Sequence, residues 1–151
     1  MPKIVPVLAL LLVFLAPLQV LGGDFQPYPG ARVDEAATRK AREAAAQSHL
    51  HSQELPPTIY LTQDSWEKVA AFYRSRSREY KMPPGVPPQK LPGGREFKEA
   101  FFIFDGAKDL VTSRRWIKVQ RPYVGDVRLS GSAPQFLDIR EVTVIILWSG
   151  N

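Results

Sequence analysis

Few residues in this chain combine the side-chain type and the spacing that chemistry requires. Its two histidines, His49 and His51, stand close to Glu54, and a His-x-His pair with a carboxylate supplies the three protein ligands of an open zinc site. On a helix, residues i and i+2 point nearly opposite ways. The set therefore closes on a metal only from extended backbone; otherwise it is a solvated helix end ahead of Pro56 and Pro57. Asp105 and Asp109 flank Gly106-Ala107-Lys108 behind an apolar run. Paired carboxylates there suit acid–base work, although Asp-Gly at a strand end more often makes a turn, with Asp109 capping the next one. No Gly-x-Ser-x-Gly elbow accompanies Ser130, Ser132 or Ser149, and Gly93-Gly94 stand outside any phosphate or dinucleotide fingerprint. No cofactor is implied.

The remaining candidates are two basic clusters with aromatic residues between the cations. Lys68, Arg74, Arg76, Arg78 and Lys81 accompany Tyr73 and Tyr80, while Arg114, Arg115, Lys118 and Arg121 surround Trp116 and Tyr123. Nucleic-acid surfaces use this mixture, because phosphates need charge and bases need stacking. If the clusters share one face, Tyr73, Arg74, Arg114, Arg115 and Trp116 are the contact residues for an anionic ligand. If they scatter, they are solvated surface.

The first residues decide which anion to expect. Met1-Pro2-Lys3, an uncharged run from Ile4 to Leu18, and the small-residue exit at Gly22-Gly23 make up a secretory signal peptide. The run is short for a membrane span of about 20 apolar residues and carries Pro6 and Pro17. The expected layout is a leader over 1–23 and one folded domain over 24–151, exported to the periplasm or beyond. Cleavage after Gly23 leaves 151 − 23 = 128 residues, and removing Lys3 takes the net charge from +5 to +4. Export argues against nucleic acid and makes an anionic envelope polymer or a lipid headgroup the better partner. With no cysteine, thiol catalysis, iron–sulfur clusters, cysteine-held zinc and lipoprotein acylation are excluded, and burial alone must hold the domain together.

The elements that must position these residues are read from periodicity. Asp24 to Gly30 is a proline-punctuated lead-in, and Ala31 to about Leu50 is an Ala-rich helix with a shallow apolar face. Trp66, Val69, Ala70 and Tyr73 fall at i, i+3, i+4 and i+7, the stripe of the main amphipathic helix, about Ser65 to Arg76. Asp64 with Glu67 reads as its capping box. Strands are expected at Thr58–Thr62, Ala100–Phe104, Arg115–Gln120 and Glu141–Trp148. A Pro/Gly-rich loop spans 82–94, and a turn-rich stretch surrounds Gly125, Gly131 and Pro134. Two of the strands are apolar on both faces and belong inside a sheet. The class is α+β, with a mostly antiparallel sheet of about four strands.

Tyr28-Pro29-Gly30-Ala31, followed by Asp64-Ser65-Trp66-Glu67-Lys68-Val69-Ala70-Ala71-Phe72-Tyr73, resembles an uncharacterised family of small exported bacterial proteins. Phe104-Asp105-Gly106-Ala107 and Gln120-Arg121-Pro122-Tyr123 are similar to segments of the same group. The resemblance implies export and an α+β fold, and brings no catalytic residue. The leading functional expectation is a non-enzymatic ligand- or partner-binding protein of the cell envelope. A small hydrolase or metal-dependent enzyme at the His49/His51/Glu54 or Asp105/Asp109 residues is the alternative. A structural subunit of an envelope assembly, joined through the hydrophobic last strand, is another.

Cell fractionation tests the leader. The expected result is a product outside the cytoplasm whose intact mass shows loss of the residues through Gly22 or Gly23; a full-length cytosolic product overturns the export reading.

Overall fold

The computed structural model describes residues 23–47, 55–85, 91–131 and 133–150; apart from Gly23, the expected leader lies outside them. In chain order the elements are β1 (Arg32–Val33), α1 (Glu35–Gln47), β2 (Pro57–Thr62), α2 (Trp66–Arg74), β3 (Arg78–Tyr80), β4 (Lys98–Ile103), β5 (Arg115–Arg121), β6 (Tyr123–Ser130), β7 (Ala133–Arg140) and β8 (Thr143–Ser149). Six strands make one sheet in the order β1-β2-β8-β5-β4-β3, and β6 pairs with β7 as a separate hairpin. Every pairing is antiparallel.

The α+β class and antiparallel sheet match the sequence reading, but the number of strands does not. All four expected strands are present. The additions are the edge strands β1 and β3, of two and three residues, too short to show a period, and the hairpin. Gly125, Gly131 and Pro134 read as turn residues, yet only Gly131 sits at the hairpin tip, with φ +64°. At Gly125 a Cβ would overlap the Asp138 carboxylate and the Tyr123 ring, and Asp138 itself has φ 52°. Glycine there lets two strands close where a side chain would hold them apart. Within the Pro/Gly-rich loop, Pro92–Gly94 makes a tight turn in which Gly93 and Gly94 take φ of 78° and 72°, outside helical backbone.

Strand alternation gives the sheet two apolar faces. The registers Phe102↔Ile117, Ile117↔Leu147 and Val119↔Ile145 place these residues on one face, where Val69, Ala70 and Tyr73 of α2 pack on them. On the opposite face Ala37 of α1 meets Ile59, Val144 and Tyr123. As its small side chains suggested, α1 is a close cover of limited area: only Ala37 and Thr38 are buried. Thr38 ties it down by accepting the Ile59 N–H at 3.0 Å. β8 lies between β2 and β5 and pairs with both. The hydrophobic last strand therefore has no free edge, and an interface through its backbone is ruled out.

The lead-in proves to be part of the core. The Phe25 ring lies 5.7 Å from Tyr60, 6.0 Å from Tyr73 and 5.7 Å from Phe104. Tyr73, fully buried, donates its hydroxyl proton to the Gln26 carbonyl at 3.2 Å. Tyr28 donates to Asp64 Oδ2 at 2.7 Å. That bond corrects the expected capping box. With Asp64 turned to Tyr28, Ser65 is the N-cap and accepts from the Lys68 N–H at 3.4 Å, and Glu67 reaches Lys98 instead, at 2.5 Å.

Truncating Tyr73 to Ala should cost about 3–5 kcal/mol of stability, as for other large buried aromatics. Tyr73→Phe, which keeps the ring and loses one hydrogen bond, should cost about 1 kcal/mol. Urea unfolding of the two variants measures both.

Candidate functional site

The five residues singled out for anion contact do not form one surface. Tyr73 is in the core. Arg74 makes a two-pronged pair with Glu79, at 2.7 and 3.3 Å, and this pairing, helped by Lys81, holds the Glu79 carboxyl below its usual range. Arg115 and Trp116 are strand neighbours and so point to opposite faces. Arg115 pairs with Asp24 at 2.9 Å, whereas Trp116 stacks on Trp148 with centroids 4.0 Å apart. Arg114 accepts the Gly150 N–H at 2.9 Å through its carbonyl, and its guanidinium crowds Gly150 so closely that a Cβ there would meet Nη2 at 3.0 Å.

The other cations of the two clusters are also engaged. Arg76 lies 3.9 Å over the Phe72 ring, Arg78 donates to the carbonyls of Ala107 and Lys108, and Lys118 pairs with Glu99 at 2.9 Å. Interleaved cations and aromatics in this fold pin helix to sheet and loop to strand. The sequence pattern cannot separate that use from ligand contact, because both call for the same residue types.

Asp105 and Asp109 organise turns. Asp105 accepts from the Arg114 and Arg115 N–H groups and the Ser113 hydroxyl through Oδ2 and Oδ1, and more weakly from the Ala107 N–H. Desolvation raises its pKa, but the combined donors outweigh it and leave the carboxyl below the ordinary 3.8. Asp109 is lowered chiefly by the Thr112 N–H at 2.9 Å, then by the Thr112 hydroxyl. Carboxylates held ionised by donors in this way are weak proton acceptors and are not available as acids at neutral pH. His49, His51 and Glu54 lie outside the described residues. Among the described residues, no three metal-ligating side chains come together, and no helix is long and apolar enough to cross a membrane.

A different feature emerges at the foot of the hairpin. Three clefts meet there. One of about 370 Å³ lies beside Pro122, with Lys98 and Glu67 on its walls. Gln63 joins it to a central cleft of about 630 Å³, floored by Leu61 and Val142 and flanked by Arg32. Arg140 joins that in turn to a third, of about 360 Å³, beside Lys40 and Tyr123. Together they form one groove between the Pro29-Gly30 turn, the end of β2, and the hairpin base.

Two arginines build this groove. Arg121 donates to the Asp64 carbonyl at 3.3 Å, Thr143 Oγ1 at 3.2 Å and the Glu141 carbonyl at 2.8 Å, tying the α2 cap to the β7–β8 connection. Arg140 lies 4.1 Å over the Tyr123 ring and near Asp34 and Asp138, at 3.5 and 3.4 Å. Its buried Nε finds no acceptor in hydrogen-bonding geometry, so Asp138 serves it through charge proximity alone. The remaining groove cations are also matched: Arg95 by Glu141 at 3.3 Å, Lys98 by Glu67 and Glu96, and Lys40 by Asp126 at 3.3 Å. Arg32, exposed on the edge strand, has no such partner among the described residues.

Of the groove residues, Arg121 and Tyr123 belong to a cluster visible in the sequence. Arg32, Gln63 and Arg140 lie far apart along the chain and outside the quoted motifs, although Pro29-Gly30, Asp64-Ser65 and Arg121-Pro122 on the same clefts lie within them. Compared with family models, curated proteins and solved structures, the chain finds no match.

Because the Asp105 pKa is lower folded than unfolded, its contribution to stability is complete above the unfolded value near 3.8 and is lost as pH falls through the folded value. Asp105→Asn should therefore be less stable than the parent at pH 7 and should narrow the gap as the pH approaches 3. Thermal melts across that range check the sign.

Proposed function

We propose that this chain is an exported, non-enzymatic binding domain of the cell envelope, and that it holds an acidic polymer in the groove at the hairpin base. The carrying observation is Arg32. Every other cation along the groove is matched by a carboxylate, a carbonyl or a hydroxyl, so an incoming anion gains little from them. Among the described residues along it, Arg32 alone offers an unmatched charge, beside the most voluminous of the three clefts and its Leu61/Val142 floor. A polymer carrying repeated acidic groups can set one of them on Arg32 and lay its less polar backbone along the floor.

Several further features support this reading. The apolar leader and its small-residue exit fit export, as does the resemblance to small exported bacterial proteins. An elongated groove suits a chain better than a compact metabolite, which favours an enclosed pocket. Turn-holding roles for Asp105 and Asp109 leave the described residues without an evident acid–base pair.

Titration with soluble alginate or polyglutamate tests the proposal. Binding should weaken as salt rises, because exposed charges are screened. Arg32→Glu should weaken it about tenfold or more, roughly 1.4 kcal/mol, while uncharged dextran stays inert. If the paired reversal Arg114→Glu/Arg115→Glu abolishes binding and Arg32→Glu does not, the site lies elsewhere and the groove reading fails.

A further inference from the structure

The β6–β7 hairpin has an unfinished edge. Two strands alone are marginal in water, and a stable sheet needs three or more. Its register runs from Tyr123↔Arg140 to Ser130↔Ala133. Backbone groups along a strand point alternately to either side. With Ser130 and Ala133 as the pair closing a two-residue loop, Asp126 and Arg128 turn theirs toward β7, and Val127 and Leu129 turn theirs outward. The Gly125 carbonyl belongs to the same outward row, and Lys40 Nζ donates to it from outside the hairpin at 3.3 Å. On the other edge, the outward positions of β7 are Pro134 and Phe136. Pro134 has no N–H to give, which blunts that edge. β6 is the strand left able to accept a neighbour.

We infer that the neighbour is a second copy of this chain, with β6 pairing antiparallel to β6 about a two-fold axis through Val127. Charge selects both the occupant and the register. With the axis at Val127, Asp126 faces the partner's Arg128, and the same contact repeats on the other side of the axis. These fall at non-hydrogen-bonded positions, where cross-strand side chains come closest. Moving the axis by one residue sets Arg128 against itself. Arg128 is exposed and has no ion-pair partner among the described residues, and Val127 is 49% exposed. Asp126 has only Lys40, at 3.3 Å, a side chain 59% exposed and free to share it. Pairing exchanges the Val127 backbone bonds, covers two valines and turns two hairpins into one four-stranded sheet. An isologous contact of this kind closes on itself as a dimer.

The full chain supplies a clean test because it has no cysteine. Val127→Cys should form a disulfide-linked dimer under mild oxidation, since residues facing each other across such an axis lie within bridging distance, about 5.5 Å between Cα atoms. Val111→Cys, at a position 72% exposed in a loop, should lag far behind at equal concentration. By sedimentation, the parent should be dimeric at high micromolar concentration, Arg128→Asp and Asp126→Arg should each be monomeric, and the double swap should dimerise again. Circular dichroism spectra matching the parent's show that each variant is folded. A monomeric parent, equal cross-linking at positions 111 and 127, or a double swap that stays monomeric overturns the proposal.

Discussion

Burial of the Tyr73 ring is the interaction on which the rest of the structure depends. It fills the space between α2 and the sheet, with Phe72, Phe102, Phe104 and Phe25 packed around it. Its hydroxyl reaches the Gln26 carbonyl, so one side chain joins a helix, a central strand and the lead-in. Burial pushes the phenol well above its ordinary pKa of 10.0, and the group stays neutral where a charge would be costly. In a domain without disulfides, such a ring performs the stapling that cross-links perform in small disulfide-bonded folds.

The consequence for the N-terminus is direct. Phe25 and Tyr28 are parts of the packed core, and Asp24 pairs with Arg115. A leader removed after Gly23 leaves all three in place, and removal a few residues later would strip Phe25 from the aromatic cluster. The export reading and the packing are therefore compatible at the same short stretch of chain.

Polar groups in this fold are mostly matched in place. Arg74 closes on Glu79, Asp105 collects backbone donors, and Arg121 bridges the α2 cap to the strand connection at Glu141. Matched charges brace a structure and leave little attraction for a ligand, because a new partner must first displace an existing one. Among the described residues, Arg32 beside the groove and Arg128 on the hairpin edge are exposed cations without such a partner, as is Arg39 on α1. None of the three belongs to the dense basic clusters that stand out in the chain.

What the sequence by itself determined was local. The stripe Trp66, Val69, Ala70, Tyr73 specified α2, and the doubly apolar runs at Ala100–Phe104 and Glu141–Trp148 specified interior strands, because periodicity reports which side chains share a face. The turn role open to Asp109 was likewise legible, since it depends on Thr112 three residues on, whereas the main donors to Asp105 lie 8 to 10 residues away. Only the tertiary structure decided the rest. It drew Asp64 to Tyr28 and passed the cap to Ser65, and it set Arg115 on Asp24 and Trp116 on Trp148. It also brought Arg32, Gln63 and Arg140 together at one groove. Each of these outcomes rests on partners distant in the chain, and their meeting depends on strand order and register, which no local pattern encodes.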